Sequence, residues 1–144
     1  MGLTGVCLAL LTAAGVSAGP TAFVPVERFT LAWTHSIEKV RWEEDYAIVP
    51  GKNPGSAPVL NAVAARVHGS GAGMEPADDA RLVEGGWYEY TPQIRTLTEL
   101  RLTRSGFTAD YDWCSQASCR PLSELLPSDG GVTLLTACRR PPAG

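Results

Sequence analysis

Alternation of apolar and polar residues is the strongest pattern in the chain, and it predicts β-strands. The segments "RFTLAW" (28–33) and "VRWEEDYAIV" (40–49) both place apolar side chains at every second position. A period of two is typical of a strand with one buried face. Glu44 is the exception, because it falls on the apolar parity of its strand between Trp42 and Tyr46.

The same pattern continues to the end of the chain. Strands are predicted at 59–69, 81–92 and 131–138, and a hairpin at 97–113. In that hairpin Ser105 and Gly106 would form the turn, so that the apolar residues before it face Phe107, Ala109 and Tyr111. Only "PLSELLP" (121–127) favours a helix, of one or two turns. The predicted fold is an all-β antiparallel meander, folded as a sandwich or small barrel, with one domain at 28–138 and a disordered tail at 139–144.

The first 18 residues differ from the rest, because they carry no charged side chain. Residues 3–16 are apolar or small, and Val16-Ser17-Ala18 supplies the small residues that a signal peptidase recognises. A membrane-spanning helix needs about 20 apolar residues, which is close to this length. The segment is therefore predicted to be a signal peptide or an N-terminal anchor. The remainder would be extracytoplasmic, in the periplasm or at the outer face of the inner membrane.

The number and spacing of the cysteines are consistent with an exported protein. If Cys7 belongs to the leader, Cys114, Cys119 and Cys138 remain. The C-x4-C spacing of "CSQASC" favours a Cys114–Cys119 disulfide, and the alternative is that Cys138 pairs with one of the two. Zinc sites usually use tighter spacings and four ligands, so no metal and no cofactor is predicted here.

Composition narrows the function classes. The chain has 144 residues, a net charge of −3, fifteen glycines and eleven prolines. Its length suits one domain, and its glycines and prolines suit many turns. No run of basic residues with interleaved aromatics is present, which argues against nucleic acid as a partner.

Two polar segments carry the candidate chemistry. The turn "THSIEK" (34–39) holds five polar side chains that water or a ligand must satisfy. The loop "HGSGAGMEPADD" (68–79) contains three closely spaced glycines, which allow backbone N–H groups to approach a ligand. It lacks the Lys-Ser/Thr ending of a phosphate loop, so it is equally compatible with a plain turn.

Several of these segments resemble one family. "FTLAWTHSIEKVRWEEDY", "GSGAGMEP", "GGWYEY" and "RSGFTADYDWCSQASC" are similar to the bacterial domain-of-unknown-function 1850 family. The resemblance implies a small exported protein whose gene lies beside, or is fused to, a TAXI-type tripartite ATP-independent periplasmic (TRAP) transporter, and it implies no established activity. The family's signature falls on His35, Ser36, Glu38, Trp42, Glu44, Gly69, Ser70, Gly71, Gly73 and Met74.

An enzyme is the least favoured function. Ser36 or Ser70 with His35 or His68 could nominally form a hydrolase triad, but neither serine lies in a G-x-S-x-G elbow. Two carboxylates for glycoside chemistry would come from Glu38, Glu43, Glu44 and Asp45. An acid-rich edge strand is a commoner explanation of these acids, so no catalytic residue is predicted.

A binding module is the second hypothesis. Glu44 is costly to bury alone, and His35, Lys39, Arg41 or a cation would neutralise it. A calcium ion would need oxygens from acids of both polar segments, namely Glu43, Glu44, Asp45, Glu75, Asp78 and Asp79. A pocket lined by Trp42, Tyr46 and Trp87 could instead hold a small organic acid, although plain core packing explains such aromatics as well.

Interaction with another protein is the favoured hypothesis. The module would bind a membrane or solute-binding subunit of the transporter, with the membrane itself reached only by the N-terminal segment. The same residues could alternatively hold the fold together. The predicted ligand- or partner-binding residues are His35, Ser36, Glu38, Lys39, Trp42, Glu44, Gly69, Ser70, Gly71, Gly73, Met74 and Trp87.

Overall fold

The computed structural model of the protein describes residues 3–34, 40–68, 80–107 and 109–140. This part of the chain forms twelve strands and a single 3₁₀ turn, Leu122–Glu124. The strands are β1 Leu3–Leu11, β2 Ser17–Pro25, β3 Arg28–Thr34, β4 Arg41–Val49, β5 Val59–His68, β6 Arg81–Val83, β7 Trp87–Tyr90, β8 Thr96–Leu97, β9 Glu99–Thr103, β10 Asp112–Ser115, β11 Ser118–Pro121 and β12 Val132–Arg140.

The strands form two antiparallel sheets. The smaller sheet has the order β2-β1-β12-β9. The larger sheet has the order β11-β10-β3-β4-β5-β7-β6, with β8 paired to β5 beside this path. Neither sheet closes on itself within the described residues, so the predicted all-β fold is confirmed as a sandwich-like meander.

The core lies between the two sheets, where the alternating apolar residues of both meet. Leu8 and Leu135 of the smaller sheet and Leu31 and Leu60 of the larger sheet are fully buried or nearly so. Aromatic rings fill the centre: Phe29 stacks on Trp113 at 4.6 Å and on Tyr46 at 5.3 Å between centroids. Burial of such large side chains is the main favourable contribution to the fold.

The apolar N-terminal segment lies inside this sandwich. β1 is an inner strand, paired with both β2 and β12, and Val6 and Leu8 are 0% exposed. Gly5 allows the close approach of β2, because a Cβ atom there would collide with the carbonyl oxygen of Val24. The domain was predicted to start at residue 28, whereas in the structure two of its strands lie between residues 3 and 25. Cleavage of residues 1–18 as a signal peptide stays a prediction, and it would remove the inner strand β1.

Both disulfides join paired strands. Cys114 and Cys119 are bonded across the β10–β11 hairpin, which confirms the favoured pairing. Cys138 is bonded to Cys7 across β12 and β1, not left as an odd thiol, so all four cysteines are paired. Two disulfides are typical of an oxidising, extracytoplasmic environment. The part of the chain described here has no helix whose length and apolar character would let it cross a membrane.

The predicted hairpin at 97–113 is wrong. β9 pairs with β12 in the smaller sheet, while β10 pairs with β3 and β11 in the larger one. The connection between them crosses from one sheet to the other. It is held by Arg104, which is only 3% exposed and donates to both carboxylate oxygens of Asp110 and to the hydroxyl of Thr133. Phe107 consequently faces solvent and is 99% exposed.

Smaller differences concern the ends of elements. The segment 81–92 contains two strands, β6 and β7, because Gly85 and Gly86 form a turn with positive φ angles of 85° and 82°. The short helix predicted at 121–127 is confirmed as one 3₁₀ turn. β12 extends to Arg140, and residues 141–144 of the predicted tail lie outside the described part.

Candidate functional site

One row of cross-strand neighbours forms an apolar strip across five strands of the larger sheet. Pairing places Trp33 opposite Trp42, Trp42 opposite Val67, Val67 opposite Tyr88 and Tyr88 opposite Leu82. Directly paired residues of antiparallel strands lie on the same face. We call these five residues the aromatic row, and it lies on the face that carries the core.

The aromatic row is only partly covered. Seven strands lie side by side in the larger sheet and four in the smaller one, so the inner face of the larger sheet extends beyond its cover. Trp33, Trp42 and Tyr88 are half-buried, and Leu82 at the sheet edge is 63% exposed. The row therefore runs from the core to the solvent as a continuous apolar strip.

The two tryptophans of the row form a stacked pair. Their ring centroids are 6.3 Å apart with an angle of 5° between the ring planes, and Tyr111 packs against Trp33 at 5.7 Å. Trp42 Nε1 is buried and, among the described residues, has no hydrogen-bond partner. A buried donor without an acceptor costs about 1–3 kcal/mol, and bound partners commonly supply such an acceptor.

Glu44 lies next to the row on the same face and is half-buried. Its Oε1 atom accepts a hydrogen bond of 2.6 Å from the hydroxyl of Tyr46. Burial raises the pKa of Tyr46, and the negative charge of Glu44 raises it further. Burial also raises the pKa of Tyr111, again with a contribution from the charge of Glu44. Both phenols therefore stay neutral beside the Glu44 side chain.

The expected neutralisation of Glu44 by Arg41 does not occur. Arg41 lies on the opposite face of β4, where its Nη2 atom is 2.6 Å from Asp112 Oδ2. His35 and Lys39, the other expected partners, lie outside the described residues. Of the predicted site residues, Ser36, Glu38, Gly69, Ser70, Gly71, Gly73 and Met74 lie outside them as well.

The outer face of the larger sheet carries a network of charges centred on Arg66. Its guanidinium group donates to both carboxylate oxygens of Asp45, at 2.8 and 2.9 Å, and to Glu43 at 2.7 Å. Thr30 also donates to Asp45, and a longer contact of 3.7 Å reaches Glu89. Hydrogen bonding to Asp45 raises the pKa of Arg66, outweighing the effect of burial.

This network explains the acids of β4 without catalysis. The sequence analysis interprets them as an acid-rich edge strand, but β4 lies in the middle of the larger sheet. Glu43 and Asp45 face Arg66 on one side, and Glu44 faces the aromatic row on the other. Arg66 is the only arginine or lysine of β5, the strand that follows the acid-rich β4, and this is the signal that could have predicted the pairing.

The calcium site considered as an alternative is not assembled from the acids of β4, because Glu44 lies on the opposite face from Glu43 and Asp45. The other three expected acids, Glu75, Asp78 and Asp79, lie outside the described residues. Within the described ranges, no group of three His, Cys, Asp or Glu side chains could hold a metal ion.

The structure does not bring Trp87 together with Trp42 and Tyr46. Trp87 pairs with His68 on the outer face, and the two rings pack edge to face at 4.9 Å. The Nε2 atom of His68 is 2.9 Å from the carbonyl oxygen of Gly85, so this histidine holds the β6–β7 turn. The predicted three-aromatic pocket is therefore divided between two faces.

A groove of about 520 Å³ lies elsewhere on the larger sheet. Its walls come from β3, β4 and β5 on one side and from the disulfide-bonded hairpin on the other. The residues that define its chemistry are Arg28, Thr30, Asp45, Arg66, Cys114 and Cys119.

These features lie almost entirely in the part of the chain that the profile of a known family matches. The sequence profile of the family described as "Domain of unknown function (DUF1850)" matches residues 29–122. This match covers well over half of the chain. The chain belongs to the DUF1850 family. The matched segment contains nearly every residue of the larger sheet, together with β9, whereas β1, β2 and β12 lie outside it.

The family description names no activity. No curated protein and no solved structure matches this chain. The aromatic row, Glu44 and the Arg66 network all lie within the family-matched segment.

Proposed function

We propose that this DUF1850 protein is an extracytoplasmic accessory protein that binds a subunit of a TAXI-type TRAP transporter through the aromatic row. The observation that carries the proposal is the half-exposed Trp33–Trp42 stack, in which the indole N–H of Trp42 has no hydrogen-bond partner among the described residues. The transporter as the partner follows from the family resemblance, and the periplasm as the location follows from the same source together with the disulfides.

The chemistry of the row favours a protein partner. Tryptophan and tyrosine are the residues that most often dominate binding energy at protein interfaces, where they fill desolvated pockets. The row is a strip that extends to an exposed sheet edge at Leu82, which suits an extended surface contact. Apolar side chains of the partner would pack on the half-exposed Trp33–Trp42 stack, and a partner donor or cation would be attracted by Glu44.

The row also lies at a favourable end of the sheet. The chain leaves β3 at Thr34 and re-enters β4 at Arg41, and it leaves β5 at His68. By strand pairing these ends lie beside Trp42 and Trp87 at one edge. Both polar segments of the sequence, 34–39 and 68–79, follow strands that end at this edge.

The test is a binding assay with purified transporter subunits. The wild-type protein and the variant Trp42→Phe would be immobilised, and binding of the membrane subunit and of the solute-binding subunit would be measured separately. Trp42→Phe keeps an aromatic ring at this position but removes half of the stacked indole together with its N–H donor, so we expect binding at least about ten-fold weaker.

Trp87→Phe is the matched control, because Trp87 lies on the opposite face and should leave binding unchanged. Equal binding by wild type and Trp42→Phe would contradict the contact surface. Absence of binding to either subunit would contradict the transporter as the partner.

A second candidate, binding of a small organic acid, is favoured by one observation. Arg28 and Arg66 both line the 520 Å³ groove, and guanidinium groups pair well with carboxylates. Arg66 already contacts Asp45 and Glu43, so Arg28 would be the principal ligand. Titration of the wild type and of Arg28→Gln with dicarboxylic acids, followed by calorimetry, distinguishes this candidate from the first.

A further inference from the structure

The β10–β11 hairpin has an unusual turn. Its two central residues, Gln116 and Ala117, have φ angles of 52° and 66°. Two-residue hairpin turns with positive φ at both positions normally use Asn and Gly, because other side chains crowd the backbone there. The turn is thus held in a conformation that its own residues disfavour. The Cys114–Cys119 bond closes the hairpin directly next to it.

The bond is also accessible from solvent. β11 is an edge strand of the larger sheet, and all four of its residues are exposed, including Cys119. Cys114, on the inner neighbour β10, is half-buried. A nucleophile from solvent therefore meets the sulfur of Cys119 first, and Cys114 is the leaving group.

The Cys7–Cys138 disulfide differs from Cys114–Cys119 in its exposure and in its position within the sheet. Cys7 and Cys138 are half-buried, and both lie on strands that have a neighbour on each side. Their bond joins the two inner strands of the smaller sheet, far apart in sequence. Neither cysteine of that pair is exposed as Cys119 is, and neither lies on an edge strand.

Arg28, Arg66 and Asp45 line the same groove as the two cysteines. Arg66 is already paired with Asp45 and Glu43, so Arg28 is the cation of this groove that would stabilise a thiolate of Cys114. A more stable thiolate leaves faster in thiol–disulfide exchange.

We propose that Cys114–Cys119 is a site of thiol–disulfide exchange that a dithiol reduces in the folded protein, while Cys7–Cys138 stays oxidised. A thiolate of the dithiol attacks Cys119 Sγ, the S–S bond breaks, and Cys114 leaves as a thiolate that takes up a proton. The second thiol of the donor then attacks the mixed disulfide and releases Cys119. Two electrons and two protons pass from the dithiol, which becomes a disulfide, to the cysteine pair.

Reduction would alter the groove. The hairpin supplies one wall, including Gln116 and Ala117, and the opposite wall carries Thr30, Asp45 and Arg66. Without the cross-strand bond, the turn can relax to negative φ angles, and the wall can move away from the sheet. The exchange site thus controls access to the charged outer face.

The test is graded reduction of the full chain with dithiothreitol, followed by alkylation and mapping of the modified cysteines by mass spectrometry. We expect half-reduction of Cys114–Cys119 at a dithiol concentration at least about ten-fold lower than for Cys7–Cys138, with an unchanged far-UV spectrum. Reduction of both pairs at the same concentration, or of Cys7–Cys138 first, would overturn the proposal.

A turn variant provides a second measurement. In Gln116→Gly/Ala117→Gly the positive φ angles no longer strain the oxidised form, so reduction should need at least about five-fold more dithiol. An unchanged or lower requirement would show that the turn does not promote exchange. A parallel arm with thioredoxin at equal dithiol concentration identifies the donor: faster reduction than by dithiothreitol indicates a protein dithiol, and equal rates indicate a small one.

Discussion

The two sheets of this protein are stabilised by different chemistry. The smaller sheet has apolar inner positions, such as Val6 and Leu8, and a disulfide that joins the first strand to the last. The larger sheet adds a charged outer face centred on Arg66 and an aromatic row that reaches solvent. The family profile matches the larger sheet, while three of the four strands of the smaller one lie outside the matched segment.

The two sheets therefore have different roles. The larger sheet carries the surface features on which recognition can rest, and the smaller sheet supplies the apolar layer that the core residues of the larger sheet require. Segments from both ends of the described chain build that layer. The comparison predicts that changes in the smaller sheet affect mainly stability, whereas changes in the aromatic row affect mainly binding.

Removal of β1 should have the largest effect. A chain that starts at Gly19 lacks the strand between β2 and β12 and exposes the apolar side chains that pack on Leu8. We expect loss of cooperative unfolding, because the removed leucines alone would each contribute about 2–5 kcal/mol of packing. Thermal unfolding followed by circular dichroism checks this against the full chain. A cooperative transition at the same temperature would show that the larger sheet folds without this strand.

The two disulfides offer a matched comparison of the sheets. The double variant Cys7→Ser/Cys138→Ser opens a bond with a sequence separation of 131, and Cys114→Ser/Cys119→Ser opens one with a separation of 5. Loop entropy predicts losses of about 5 and about 2 kcal/mol in the free energy of unfolding. Relaxation of the Gln116–Ala117 turn should reduce the smaller loss further. Urea denaturation measures both, and equal losses would contradict this account.

Acid should produce the smallest effect, confined to the larger sheet. Burial by itself raises the pKa of Asp45, but hydrogen bonds from Arg66 and Thr30 outweigh burial and lower it below the ordinary value of 3.8. Its stabilisation is therefore complete above about pH 4 and is lost as the pH falls through the folded-state pKa.

The expected loss is less than about 1 kcal/mol, because the Asp45 side chain is 30% exposed and solvent screens the pair. In Asp45→Asn the unfolding free energy should depend less on pH between 5 and 2.5. Parallel curves for the variant and the wild type, from urea denaturation at each pH, would remove Asp45 from this role.

Period-two alternation was sufficient to predict the fold class and the strands that begin at Arg28, Arg41 and Val59. It could not predict which strands pair. The expected hairpin at 97–113 failed because Arg104 and Asp110 form a buried pair that redirects the chain between sheets, and sequence spacing does not reveal that contact. The apolar segment 3–11 has the composition of a leader and also that of a buried strand, and composition alone does not distinguish the two.

The candidate site was predictable only in part. Glu44 was singled out because it occupies an apolar position of its alternating strand. The structure places it on the same face as Trp42, as the alternation predicts. Its partner, Tyr46, is two residues away on the same strand and was taken for core. Trp87 was predicted to line the same pocket as Trp42 and Tyr46. Alternation shows which residues of one strand share a face, but which face of another strand lies on the same side is known only from the register.

The Cys7–Cys138 bond also has a mechanical consequence. Tension applied to the two ends of the described chain would pass from β1 through this covalent link to β12, without crossing the residues between the two cysteines. The larger sheet and its aromatic row therefore lie within a closed covalent loop that bears none of the load. Tension between the two ends would therefore not distort the surface that a partner binds.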